Sequence, residues 1–166
     1  MTSSYDSLGI RPIINAQATL TMFGGSLMPE EVRKAMDQAA GSFVDLHQLQ
    51  LSVGERLAEL THNEAAYVSC GAASGLLLAT AACISRHTAD AYEDFSKLNG
   101  VPNEVIVQKM HRNSYDYAVQ EAGTKIVEIG SNEGTQIVDL ERVISSATVA
   151  IFWFQGAMND PSELSL

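Results

Sequence analysis

From residue 65 to residue 154, short apolar stretches of strand length alternate with longer stretches that have helical spacing. Strands that alternate with helices are typical of α/β folds, in which helices connect parallel strands. The sequence therefore predicts an α/β fold with a mainly parallel sheet. The predicted strands cover residues 65–69, 105–108, 125–129 and 149–154, and the predicted helices between and after them cover residues 72–85, 115–122 and 140–145.

Two further helices are predicted before the first strand. Pro29 and the acidic pair that follows it favour a helix start, and Gly41 ends this helix. We expect its inward face to carry Val32, Ala35, Met36 and Ala39. A second helix is predicted from about Ser42 on apolar residues at helical spacing, namely Leu46, Leu49, Val53, Leu57 and Leu60.

The chain of 166 residues has the length of one domain and can bury a sizeable core. We divide it into an N-terminal segment with helices at residues 1–60 and an α/β part at residues 61–166. The predicted strand at 149–154 has the apolar character of an interior strand that is buried on both faces. Because few residues follow it, we expect the domain to be incomplete at its C-terminal side.

Composition excludes several classes of partner. The formal net charge is −10 and the ten basic residues are scattered, which argues against a nucleic-acid surface. The sequence contains neither a signal peptide nor an apolar run of transmembrane length. Cys70 and Cys83 have no metal or redox spacing, and we interpret Cys70 as a small residue packed between strand and helix. We therefore expect a cytoplasmic protein with no metal site.

The segment from Cys70 to Gly75 is the first candidate site. It consists of small residues between a predicted strand and an apolar helix, so that unhindered backbone N–H groups lie at the positive end of the helix. A phosphate binds to such a helix start without a basic side chain. The same pattern also occurs where a helix only packs closely against a sheet. The sequence leaves both interpretations open.

The second candidate site is the polar stretch 109–114, which contains His111 and follows the predicted strand 105–108. We expect that strand to neighbour the Gly71 turn. In open α/β sheets ligands bind beyond the carboxyl ends of the strands, so the two segments would then share a crevice. A histidine there can stack on a planar ring or titrate near neutral pH. The alternative is a loop histidine that caps the next helix.

Several segments together carry a resemblance to a known family. They are Asn15–Thr21, Gly24–Val32, Val53–Ala58, Cys70–Leu76 and Val105–Gln108 followed by His111–Asn113. Taken together, they resemble the start of fold-type I pyridoxal-phosphate enzymes, which have the PLP-dependent transferase fold. The resemblance is to the group that contains selenocysteine synthase, a transferase, and D-glucosaminate-6-phosphate ammonia lyase. The segments come in the family's order and cover nearly the whole chain.

The resemblance implies a cofactor, pyridoxal 5'-phosphate, and roles for particular residues. The turn of Gly71, Ala72 and Ala73 would hold the cofactor phosphate through main-chain N–H groups, and His111 would stack over the pyridine ring. The segment that contains Asn15 and Thr19 would line the substrate side of the pocket. The sequence departs from the family at two places, because relatives often have Gly at the positions of Ala18 and of His62 or Asn63.

The resemblance also implies what this chain lacks. Family enzymes use an Asp that pairs with the pyridine nitrogen and a Schiff-base Lys, both further along than residue 166. Of the lysines here, Lys109 is the one near the expected pocket. We therefore assign no catalytic residue to this chain. We expect it to be an N-terminal fragment that contains part of the family's large domain. We expect little or no catalysis from this chain alone.

For the parent enzyme, the resemblance implies a homo-oligomer that acts on a small amino acid or amino-sugar acid. The acidic composition and the early start of the motifs favour an ammonia-lyase or related β-elimination over a reaction on charged tRNA. Two alternatives remain. One is a stand-alone phosphate-ligand or nucleotide-binding module, although a Gly-x-Gly-x-x-Gly turn is absent. The other is a marginally folded remnant without a function.

Overall fold

The computed structural model describes residues 5–17, 19–87 and 100–154. The chain forms two compact units, residues 1–49 and residues 50–166. The helices are α1 (Glu30–Ala40), α2 (Leu46–Thr61), α3 (Ala72–Ser85), α4 (Asp116–Glu121) and α5 (Ile137–Val143), and short 3-10 turns span Asp6–Leu8, Thr21–Phe23 and Lys109–His111. The strands are β1 (Glu104–Gln108), β2 (Lys125–Ile129) and β3 (Thr148–Phe152).

The helix α1 follows Pro29 and carries Glu30 and Glu31 in its first turn, as the sequence predicts. The predicted inward face was wrong, since α1 has no buried residue and Val32 and Met36 are about half exposed. The amphipathic pattern identifies an apolar face, but no described element of the first unit covers that face. Ala35 and Ala39 are exposed as well.

The helix α2 begins at Leu46 rather than near Ser42. Asp45 sets this start, because its Oδ1 accepts hydrogen bonds from the N–H groups of His47 at 2.9 Å and Gln48 at 3.0 Å. The predicted apolar stripe is not the buried face. Leu46, Leu49 and Leu60 are exposed, Val53 and Leu57 are half-buried, and the buried residues are Gly54 and Ala58.

Gly54 is buried because an extended segment, residues 65–69, crosses α2 at this point. A Cβ atom at Gly54 would lie 2.5 Å from the carbonyl oxygen of Ala66. The amide of Gln50 also donates a hydrogen bond to the carbonyl of Val68 at 3.1 Å. Close backbone approach therefore selects small residues on this face of the helix, and the larger apolar residues beside them remain partly exposed.

The turn after α2 has a Schellman geometry. His62 has a φ of 57°, and the N–H groups of His62 and Asn63 donate back to the carbonyls of Glu59 and Ala58. Glycine is the usual residue at such a left-handed position. The departure from the family's glycine therefore leaves the turn in place, with histidine in a left-handed conformation. The other departure, Ala18, lies outside the described residues.

The sheet has three parallel strands in the order β2-β1-β3. The predictions of strands 105–108 and 125–129 and of helices 72–85 and 115–122 are confirmed with boundaries within a residue or two. The central strand β1 is the most buried element, and its Val105 and Val107 pack with Val119 of α4. Ile84 of α3 packs against Ala122 in a second cluster. The α/β fold with a parallel sheet is therefore confirmed.

Three predictions around the sheet were wrong. Residues 65–69 are extended but pair with no described strand. Both edges of β1 are occupied by β2 and β3, so residues 65–69 are not its neighbour. The strand β3 lies at an edge of the described sheet and is only half-buried, with Ile151 at 45% exposure. Apolar sequence indicates a strand that needs cover, but ladder pairing and burial depend on which segments lie alongside it.

The helix α5 begins at residue 137 rather than near residue 140. Gln136 and Asp139 form a reciprocal capping box that fixes the earlier start. No helix of the described residues is both long and apolar enough to cross a membrane.

Candidate functional site

The N-terminus of α3 presents free backbone donors. The first hydrogen bond of the helix runs from the N–H of Gly75 to the carbonyl of Gly71 at 2.9 Å, and no side chain caps the helix. Within the described part of the chain, the N–H groups of Ala72, Ala73 and Ser74 have no backbone acceptor. Such groups, with the helix dipole, place about half a unit of positive charge at the helix start.

Gly71 gives the turn its shape. Its φ of 145° and ψ of 171° lie in a region that is essentially restricted to glycine. A Cβ atom built at Gly71 would meet no atom of residues 5–17, 19–87 or 100–154 within 4 Å. The requirement for glycine therefore comes from the backbone conformation and not from crowding.

Small polar side chains surround this turn without covering it. The hydroxyl of Ser69 donates to the carbonyl of Gly71 at 2.9 Å, and Cys70 Sγ lies 3.0 Å from Ser74 Oγ. Cys70 is exposed, so its interpretation as a buried packing residue was wrong. Its thiol instead contacts the hydroxyl of Ser74 in the first turn of α3. Ala72 is exposed and Ala73 is half-buried, and neither has a side chain that would hold an anion away.

His111 lies in the 3-10 turn directly after β1 and is 2% exposed. Its ring contacts two aromatic residues at the end of β3. The centroid of Trp153 is 4.9 Å away and that of Phe154 is 6.5 Å away, both edge-on at 86°. The N–H of Phe154 donates a long hydrogen bond of 3.4 Å to Nδ1 of His111. In the neutral ring the proton therefore lies on Nε2.

A group of charged side chains surrounds Arg112, the residue that follows His111. Arg112 donates from Nε to Asp116 Oδ2 at 2.5 Å and from Nη1 to Glu128 Oε2 at 2.8 Å. Lys109 Nζ lies 3.9 Å from Glu128. The hydrogen bond with Asp116 raises the pKa of Arg112, and this effect exceeds the lowering caused by partial burial. The guanidinium thus joins the loop to the first residue of α4 and to β2.

The remaining predicted site residues belong to the N-terminal unit. Asn15 lies in extended chain, and its Oδ1 accepts a hydrogen bond from the N–H of Gln17 at 2.8 Å. Thr19 is exposed just before the 3-10 turn that begins at Thr21. In the second unit, Gly71, Ala72 and Ala73 lie together at one helix start, and His111 lies at the carboxyl end of β1. The described residues contain no group of His, Cys, Asp or Glu that could hold a metal ion.

Sequence reasoning missed the groups that surround His111. Arg112 and Asp116 are four residues apart with opposite charge, a spacing that favours an ion pair. That signal was present in the sequence. Glu128 and Phe154 could not be found this way, because only the parallel pairing of β1 with β2 and β3 brings them to the loop.

Comparison with known proteins identifies relatives for the described fold. No protein-family model matches the chain. It is 32% identical over 157 residues to a 5'-C-glycyluridine monooxygenase-decarboxylase from a Streptomyces species. This alignment covers 92% of this chain and 39% of the relative. It is also 31% identical over 153 residues to D-glucosaminate-6-phosphate ammonia lyase from Salmonella typhimurium. That alignment covers 90% of this chain and 42% of the relative.

A solved structure of D-glucosaminate-6-phosphate ammonia-lyase is similar to this chain with a TM-score of 0.83 and 30% identity. The match covers 90% of this chain and 42% of that structure. The resemblance inferred from the sequence is therefore confirmed, and it extends from sequence to three-dimensional fold. The chain spans about two fifths of the length of the curated relatives that it matches.

Proposed function

We propose that this homologue of D-glucosaminate-6-phosphate ammonia lyase forms the pyridoxal-phosphate-binding part of an enzyme that acts on an amino acid or amino-sugar acid. The observation that carries the proposal is the start of α3, where three consecutive N–H groups have no backbone acceptor among the described residues. A phosphate dianion is the ligand class that such a helix start binds best. The similarity to an ammonia lyase over nine tenths of the chain supports pyridoxal phosphate as the proposed phosphate ligand.

The residues present fit the phosphate end of this cofactor. A Cβ atom at Gly71 would meet no described atom within 4 Å, and the neighbouring side chains are small methyl, hydroxyl and thiol groups. Ala72, Ala73 and Ser74 would donate main-chain hydrogen bonds to phosphate oxygens. Hydrogen bonds to a charged acceptor contribute about 1.5–3 kcal/mol each, so three of them suffice for anchoring without a basic side chain.

The proposed role of His111 is to contact the cofactor ring; because the imidazole is 2% exposed, it would present only a small part of its surface to that ring. An imidazole that is held edge-on by Trp153 and Phe154 has a fixed orientation, and its neutral form carries the ring proton on Nε2. When bound, the cofactor supplies an electron sink for the electron pair left by a departing α-proton. The chain's own residues would bind the phosphate, orient the ring and exclude water from its face.

We further propose that Asn15 and Thr19 line the substrate side and that the reaction of the whole enzyme is an ammonia-lyase or related β-elimination. The whole enzyme would be a cytoplasmic homo-oligomer of the fold-type I class. This chain by itself would bind the cofactor without trapping it covalently. Lys34 and Lys109 are engaged by Glu30 and Glu128, and we assign no lysine of this chain to covalent catalysis.

Ligand titration tests this proposal. The purified chain is titrated with pyridoxal phosphate, pyridoxal, ATP and NAD, with heat and cofactor absorbance as readouts. We expect pyridoxal phosphate to bind more tightly than pyridoxal and the nucleotides, and we expect borohydride to trap no stoichiometric lysine adduct. Tighter binding of a nucleotide would support the stand-alone nucleotide module instead. Stoichiometric trapping would show that a lysine of this chain serves as the covalent anchor.

A further inference from the structure

The loop that carries His111 is held on two sides. On one side the imidazole contacts Trp153 and Phe154, which follow from β3. On the other side Arg112 bonds to Asp116 of α4 and to Glu128 of β2. Arg112 is the C-cap residue of the 3-10 turn that carries His111, and its backbone is extended with φ −62° and ψ 132°. Two consecutive residues, His111 and Arg112, therefore attach this turn to three different elements of the second unit.

The two carboxylates belong to different elements, and the guanidinium of Arg112 bonds to both of them. Nε and Nη1 donate to separate acceptors, which fixes the plane of the group as well as its location. A lysine ammonium is a point charge on a flexible stem and lacks this directional constraint. The carboxylate of Asp116 is 11% exposed, so this pair is better shielded from water than an ordinary surface ion pair.

Asn113 secures the backbone of the same loop independently. Its amide donates to the carbonyl of His111 at 2.9 Å, and its Oδ1 accepts from the N–H of Tyr115 at 2.8 Å. These bonds hold the main chain of the turn whether or not Arg112 is present. Loss of the guanidinium would leave this local turn intact but release its attachment to α4 and β2, so that the turn with His111 can shift relative to Trp153 and Phe154.

We propose that Arg112 is a positioning residue, which through Asp116 and Glu128 holds the imidazole of His111 against Trp153 in the orientation that the cofactor ring requires. The need of the cofactor ring for this orientation rests on the proposed function. The ring contact itself is a property of the chain without any ligand. The two parts can therefore be tested separately.

The test of the ring contact uses the full chain without cofactor. Trp153 is the only tryptophan of the sequence and His111 is one of four histidines, so nuclear Overhauser cross-peaks between imidazole and indole protons can be assigned with His111→Gln. We expect this cross-peak in the unsubstituted chain. We expect Arg112→Met to lose it and Arg112→Lys to retain it weakly. Arg56→Met is the matched control. Arg56 forms an ion pair with Glu59, three residues further along the exposed surface of α2.

A residue that contributes only stability would lower the midpoint of urea unfolding and leave the cross-peak of the folded chain intact. That result for Arg112→Met would overturn the proposal, as would absence of the cross-peak in the unsubstituted chain. If loss of the helical circular dichroism signal shows that Arg112→Met does not fold, Asp116→Asn and Arg112→Lys replace it. The cross-peak between residues 111 and 153 is then measured in those two variants. An undiminished cross-peak in Asp116→Asn would then overturn it.

Cofactor titration separates this proposal from the proposed function. We expect Arg112→Met to weaken the binding of pyridoxal phosphate and pyridoxal by the same factor, because the contact concerns the ring. If the unsubstituted chain binds neither compound while Arg112→Met still loses the cross-peak, the proposed function fails and the positioning role stands. If both compounds bind and Arg112→Met leaves their affinities and the cross-peak unchanged, the positioning role fails and the proposed function stands.

Discussion

Removing one N–H group from the start of α3 is the sharpest test of the phosphate site. Ala72 is the first residue of the helix, its N–H has no backbone acceptor among the described residues, and its side chain is exposed. Proline is favoured at the first helical position, where its missing N–H costs the helix nothing. Gly71 has a ψ of 171°, which is the extended conformation that a residue before proline adopts. Ala72→Pro should therefore preserve the fold and delete one donor.

The expected loss of affinity follows from the type of bond removed. A hydrogen bond to a charged acceptor contributes about 1.5–3 kcal/mol, which corresponds to roughly 10- to 100-fold in the dissociation constant. Pyridoxal, which lacks the phosphate, should bind Ala72→Pro and the unsubstituted chain equally. The matched control is Ile137→Pro, which places proline at the first position of α5, where the side chain is also exposed.

The assay is calorimetric titration of the three proteins with pyridoxal phosphate and with pyridoxal, after circular dichroism has shown equal helix content. Weaker binding of pyridoxal phosphate confined to Ala72→Pro is the expected result. Equal affinity for pyridoxal phosphate in all three proteins would refute the reasoning, since the amide at residue 72 would then contribute nothing. Equal weakening for both compounds would place the effect at the ring instead.

Four substitutions test the backbone arguments by urea unfolding. Gly71→Ala should destabilise the chain by about 1–3 kcal/mol, because φ of 145° is strained for any residue with a Cβ. Gly75→Ala is its control and should stabilise α3 by up to about 1 kcal/mol, since its Cβ would meet only a side chain at 3.4 Å. Gly54→Ala should destabilise by roughly 1–3 kcal/mol through the 2.5 Å approach to the Ala66 carbonyl, and no loss there would mean that the crossing segment moves freely. His62→Gly should stabilise by about 1 kcal/mol by relieving a left-handed residue. A loss of stability in that variant would show that the histidine side chain contributes contacts.

The elements of the α/β part were predictable because their signals are local. The strand over 125–129 and the helix over 72–85 were placed with the bounds that the structure has, since apolar periodicity and flanking glycines are read within a few residues. The start of α5 was misplaced by three residues because its capping box uses a glutamine, a weaker signal than serine or aspartate.

Burial was less predictable than secondary structure. The apolar stripe of α2 indicated a buried face, but the face that is buried consists of Gly54 and Ala58, where another backbone crosses the helix. The residues of β3 looked interior, yet Ile151 is 45% exposed at an edge of the described sheet. A sequence pattern reports which residues avoid water, whereas burial depends on which surfaces arrive to cover them.

The amino-acid sequence by itself determined the alternation of strands and helices, the small-residue turn at Gly71 and the resemblance to pyridoxal-phosphate enzymes. Each of these depends on residues that are close together in the chain. The tertiary structure alone decided that residues 65–69 pair with no described strand and that His111 is enclosed by Trp153 and Phe154. It also decided that Arg112 reaches Glu128. Parallel pairing joins segments distant in sequence, and such contacts leave no local pattern.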